Sequence, residues 1–139
     1  MKVLLDTHAL LWWFQEDPSL SSKARRTLAA IDNQVFVSTA TVWEMAIKNR
    51  AGKLEIPELL DELDAKLVDE GMQVLPISLD HAVRAGALLS LDHAVRAGAL
   101  PVHHKDPFDR MLVAQAQVEN LSVISSDAIF EKYGIRRIW

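Results

Sequence analysis

Short apolar runs alternate with stretches of helical periodicity along this chain, and that alternation constrains its fold more than any other feature. Lys2–Leu5, Val35–Ser38, Gln73–Ile77, Ser122–Ser125 and Arg137–Trp139 read as short strands. Helices are predicted over Thr7–Phe14, Ser21–Ile31, Thr41–Ala51, Pro57–Glu70, Pro107–Glu119 and Ala128–Tyr133. Gly52 and Gly71 stand where such helices stop, and Pro57 and Pro107 where they start. Strands separated by helices pair in parallel through right-handed crossovers. The expected fold is therefore a three-layer α/β domain. No Gly/Ser-rich or Pro-rich linker divides residues 1–139, so one domain is expected.

An exact repeat disturbs this pattern. Ser78–Leu88 recurs unchanged as Ser90–Leu100, an offset of 12 residues. Two copies are too few for a solenoid. The repeated sequence is helix-forming, but one helix over both copies would run on the order of 36 Å. Gly86 and Gly98 would each weaken it by up to ~1 kcal/mol. A looped-out copy, a protruding helix, or a segment exchanged between subunits are the open outcomes. If the extra copy is not absorbed locally, whatever lies after it in the chain is displaced.

Composition removes several function classes. No cysteine is present, which excludes disulfides, thiolate zinc sites and cysteine nucleophiles and is compatible with a cytoplasmic protein. Apolar runs fall short of the ~20 residues of a membrane span. Asp6 arrives too early for a secretion signal. Neither Gly-x-Ser-x-Gly nor a Gly-x-x-x-x-Gly-Lys phosphate loop occurs. The net charge of −4 is no basic footprint for nucleic acid. One acidic pocket of four carboxylates would hold that whole imbalance.

Four acids stand where strands end and helices begin. Asp6 follows Val3-Leu4-Leu5, and Asp127 follows Val123-Ile124-Ser125-Ser126. Glu44 falls early in the helix after Val35–Ser38, and Asp109 in the first turn after Asp106-Pro107. In a parallel sheet these positions share the carboxyl edge, where ligands bind. Grouped carboxylates repel one another, and a divalent cation relieves that repulsion. Mg²⁺ and Mn²⁺ prefer such oxygen donors and support phosphodiester hydrolysis. Each acid alone also suits a capping role. Asp6, Asp106 and Asp127 fit N-caps, and Thr41-Val42-Trp43-Glu44 matches a capping box.

Other residues carry weaker signals. Thr7, Asp106 and Arg110 adjoin the acids as supporting residues, with Arg110 suited to a carboxylate or a phosphate. Lys48, Arg50 and Lys53 could attract a phosphate backbone or simply favour a helix C-terminus. His8 is placed to flank the pocket, whereas His81 and His93 read as solvated. The His103-His104 pair lacks a third ligand at zinc spacing. Trp12, Trp13 and Trp43 read as core or subunit contacts. A phosphatase with Asp6 as covalent nucleophile would want an acid where His8 stands.

Four ordered motifs carry a family resemblance: Leu4-Leu5-Asp6-Thr7-His8, Ser38-Thr39-Ala40-Thr41-Val42-Trp43-Glu44, His104 to Ala116, and Ile124-Ser125-Ser126-Asp127. Together they resemble the PIN-domain ribonucleases, specifically the VapC toxins of bacterial toxin–antitoxin pairs. The resemblance implies an α/β/α sandwich with a five-stranded parallel sheet in order 3-2-1-4-5. It implies an Mg²⁺- or Mn²⁺-dependent endoribonuclease with Asp6, Glu44, Asp109 and Asp127 as the acidic quartet. Asp109 rather than Asp106 matches the third acid, because it precedes the apolar-Ala-x-Ala helix. Ser125 matches the small hydroxyl residue two before the last acid. Structured RNA such as tRNA or rRNA, a VapB antitoxin and a homodimer are the implied partners. The repeat at 78–101 departs from the family pattern. The alternative is a non-catalytic RNA- or protein-binding module, inactivated by the duplication.

Overall fold

The computed structural model describes residues 1–88 and 106–139. In chain order these form β1 (Lys2–Leu5), α1 (Thr7–Phe14), α2 (Ser22–Ala29), β2 (Gln34–Ser38), α3 (Thr39–Arg50), α4 (Pro57–Asp61) and α5 (Leu63–Asp69). There follow β3 (Gln73–Leu75), α6 (Leu79–Ala87), α7 (Pro107–Glu119), β4 (Ser122–Ile124), α8 (Ile129–Lys132) and β5 (Arg137–Ile138). The strands make one sheet in the order β3-β2-β1-β4-β5, parallel throughout. β1 lies at its centre, with Leu4 beside Phe36 on one side and Val123 on the other.

The period of two along each strand divides the core. Val3 and Leu5 of β1, Val35 and Val37 of β2, and Ile124 of β4 point to one face. There they pack with Leu10 of α1, Leu28 of α2, Met45 of α3 and Leu67 of α5. Leu4, Phe36 and Val123 point to the other face. They meet Leu88, Leu112 and Val113 of α7, and Phe130 of α8. Apolar burial on both faces accounts for strands that read as continuous apolar runs. The layers and the strand order are those that the resemblance implies.

Several boundaries depart from the sequence expectation. The helix expected over Pro57–Glu70 is divided at Glu62, whose φ of −100° and ψ of 2° end one segment and start the next. β3 stops at Leu75, because Pro76 has no N–H for the ladder. α3 starts at Thr39, not Thr41: Ser38 is its N-cap and its hydroxyl accepts the Ala40 N–H at 3.0 Å. The capping box at Thr41 and Glu44 is therefore not formed. Gly52 and Gly71 do end their helices, with φ of +74° and +67°.

The first repeat copy is docked on α7. Ser78 caps α6, accepting the His81 N–H at 3.1 Å, while the Ser78 N–H donates to His81 Nδ1 at 2.9 Å. His81 Nε2 meets Glu119 Oε1 of α7 at 2.8 Å. His81 is buried, not solvated: its ring bridges two helices. Residues 89–105 lie outside the described part of the chain, and with them fall His93, Gly98, the His103-His104 pair and the second copy. α7 nonetheless begins at Pro107, as expected.

Candidate active site

Parallel strands bring their carboxyl ends, and the helix starts that follow, to one edge of the sheet. A cleft of about 390 Å³ opens there, lined by Asp6, Thr7, His8, Glu44, Lys48, Asp106, Asp109, Ser126, Asp127 and Phe130. The four acids singled out from the sequence all line it.

Asp6 leaves β1 and caps α1. Its Oδ1 accepts the Ala9 N–H at 2.7 Å, and its Oδ2 accepts the Ser125 hydroxyl. Ser125 in turn accepts the Asp127 N–H at 3.0 Å, so one hydroxyl ties the end of β4 to the end of β1. Burial pushes the Asp6 carboxyl above its ordinary range, against the pull of these two donors. Asp127 is more exposed and holds the Ile129 N–H at 3.0 Å. Asp6 and Asp127 thus cap helices and line the cleft at once; the two readings do not compete.

Glu44 lies one turn into α3 and is only 5% exposed. Its Oε1 accepts the Thr7 hydroxyl at 2.7 Å, and its Oε2 pairs with Lys48 Nζ at 2.5 Å. Asp106 caps α7, accepting the Phe108 N–H at 2.8 Å. Asp109, half-buried one turn on, has its pKa pushed up to about 7. Burial is the main cause, followed by the charges of Asp106, Glu44, Asp6 and Asp127. Asp109 lines the same cleft as those acids, despite the repeat upstream.

The donors are all oxygens, of the kind a hard divalent cation takes. The spacing is less favourable: among the described residues, no three His, Asp or Glu side chains converge closely enough to hold an ion. Of the supporting residues, Thr7 and Ser125 bond to the acids, while Arg110 is half-buried on α7 and does not line the cleft. Lys48 lines the cleft; Arg50 and Lys53 are exposed away from it. His8 flanks it and lies against Trp12, with ring centroids 5.5 Å apart. Trp12 and Trp13 pack on the core, and Trp43 is 62% exposed with its ring edge-on to Phe108. The pairing of Glu44 with Lys48 was missed in the sequence, although its i, i+4 spacing was the available signal.

An α/β/α domain with parallel order 3-2-1-4-5 and carboxylates gathered at its carboxyl edge is the class that fold and cleft define together. The PIN-domain family profile matches residues 3–135, and the chain belongs to that family. The fold is shared with a chain of VapBC2 from Rickettsia felis bound to a promoter DNA fragment, at 16% identity, TM-score 0.69 and full coverage of both chains. It is shared with DNA-bound VapBC from Salmonella typhimurium at 22% identity and TM-score 0.67, covering 99% of this chain and 96% of that one. It is shared also with VapC20 of Mycobacterium tuberculosis, a sarcin–ricin loop cleaving toxin, at 16% identity and TM-score 0.67, covering 96% and 95%. No curated protein sequence matches the chain. No helix among the described residues is long and apolar enough to cross a membrane.

Proposed function

We propose that this chain is a metal-dependent endoribonuclease, the toxin of a VapBC-type pair, acting in the cytoplasm on structured RNA such as tRNA or rRNA. One observation carries the reading: in a PIN-domain chain, Asp6, Glu44, Asp109 and Asp127 line a single cleft although they lie far apart in sequence. The likeness to a sarcin–ricin loop cleaving toxin supports an RNA substrate. The likeness to VapBC complexes supports a VapB-like antitoxin; a homodimer is the proposed assembly. Asp6 and Asp109 would be the main ligands of Mg²⁺ or Mn²⁺, completed by Glu44 and Asp127 directly or through water. Such an ion, when bound, activates water and offsets charge on the phosphate.

The protein's own part is positioning. Ser125 and the Ala9 N–H hold Asp6 in one orientation, and Thr7 does the same for Glu44. Asp109 keeps a proton near neutral pH that a cation would displace. Five carboxylates would otherwise repel an RNA phosphate, so the cleft needs countercharge before substrate enters.

A second reading, the non-catalytic RNA- or protein-binding module, draws on the absence of three converging ligands among the described residues. Cleavage of a small-RNA pool by the purified chain separates the two. Discrete products are expected with Mn²⁺, lost with EDTA and with Asp6→Asn, which keeps the helix cap. RNA binding without cleavage, both before and after removal of residues 90–101, would leave the binding module.

A further inference from the structure

The cleft already contains a cation of its own. Among the described residues that line it, Lys48 is the sole Lys or Arg facing five carboxylates. Its ammonium sits 2.5 Å from Glu44 Oε2, while the Thr7 hydroxyl occupies Oε1. Both oxygens of Glu44 are therefore engaged from within the protein. The pairing has a reason in the chain: Glu precedes Lys by four residues on α3, the favourable orientation for a helical ion pair. A buried carboxylate without such compensation is costly. Glu44 is 5% exposed, whereas the Lys48 side chain keeps 35% of its surface in solvent. One partner is fixed in the protein and the other stands at its rim on a flexible stem.

We propose that Lys48 is a built-in counter-cation that occupies Glu44 until a divalent ion displaces it, after which its ammonium is positioned for the RNA phosphate. The proposal rests on the metal-dependent nuclease reading. An ion drawing on Glu44 Oε2 cannot share that oxygen's open side with an ammonium at hydrogen-bond distance, since the two cations repel. Metal binding and the Lys48–Glu44 pair are thus alternatives. A lysine kept only to stabilise the fold would leave metal affinity unaltered when it is removed.

Lys48→Met keeps the stem and deletes the charge. Its Mn²⁺ affinity, measured by isothermal titration calorimetry on the whole chain, should rise about tenfold over the parent. Affinity for RNA in the presence of Mn²⁺ should fall, so the two constants move in opposite directions. Lys48→Arg, which keeps the charge, should stay near the parent for Mn²⁺. In the parent, adding Mg²⁺ should shift the Lys48 Nζ resonance, as the pair to Glu44 opens. Unchanged or weaker Mn²⁺ binding by a folded Lys48→Met chain overturns the proposal. Should that happen while Asp6→Asn abolishes Mn²⁺ binding, the nuclease reading survives. Should none of the chains bind Mn²⁺, the metal reading and this inference fail together.

Discussion

Asp109 shows how a single side chain reports on its surroundings. Its carboxyl, held near pKa 7, takes up a proton in the folded cleft that it loses at about 4 in the unfolded chain. Between those values the unfolded state binds fewer protons, so stability falls as pH rises through the window, by at most about 1.4 kcal/mol per pH unit. Above pH 7 this contribution is flat. Asp109→Asn removes the acid and should flatten the decline between pH 4 and 7, leaving the variant the more stable chain at pH 8. Urea unfolding at several pH values checks it; parallel curves for parent and variant would refute the linkage. Asp6 has the same sign, since burial also raises its carboxyl. From sequence, Asp6 was visible as a position after a strand and Asp109 as one in the first turn of a helix. Their protonation was not, because it depends on neighbours up to more than a hundred residues away, as Ser125 is from Asp6.

At the scale of elements, the junction of α6 and α7 depends on His81. The ring accepts the Ser78 N–H and meets Glu119, and it is buried. His81→Ala removes both contacts and opens a cavity, and should cost about 2–4 kcal/mol by urea unfolding. A loss under about 0.5 kcal/mol would mean that the junction tolerates a surface-like residue. The sequence alone reads His81, one position of the repeated helix, as solvated. Only the packing of α7 covers it. The same limitation applies at Thr41 and Glu44: the capping-box spacing was there, but Ser38 took the capping role. Glu44 was left free to turn toward Thr7 and Lys48.

For the whole molecule, the cleft exists only when β1, β2 and β4 stand side by side. A ligand of the cleft therefore binds the folded state and raises its unfolding midpoint. On the proposed reading a cation displaces the Asp109 proton, so the gain from 1 mM Mn²⁺ should be larger at pH 8 than at pH 5.5. Thermal melts at the two pH values test this, and equal gains would mean that Asp109 lies outside the ligand set.

By itself the sequence determined the alternation of strands and helices, the helix stops at Gly52 and Gly71, and the placing of two acids after strands and two in the early turns of helices. Those follow from local periodicity and backbone preference, which neighbouring residues set among themselves. The strand order came from the family resemblance rather than from spacing. Tertiary structure alone decided that His81 is buried and that Ser125 reaches Asp6. Each of these depends on distance and desolvation, and those quantities arise only when separate elements pack against one another.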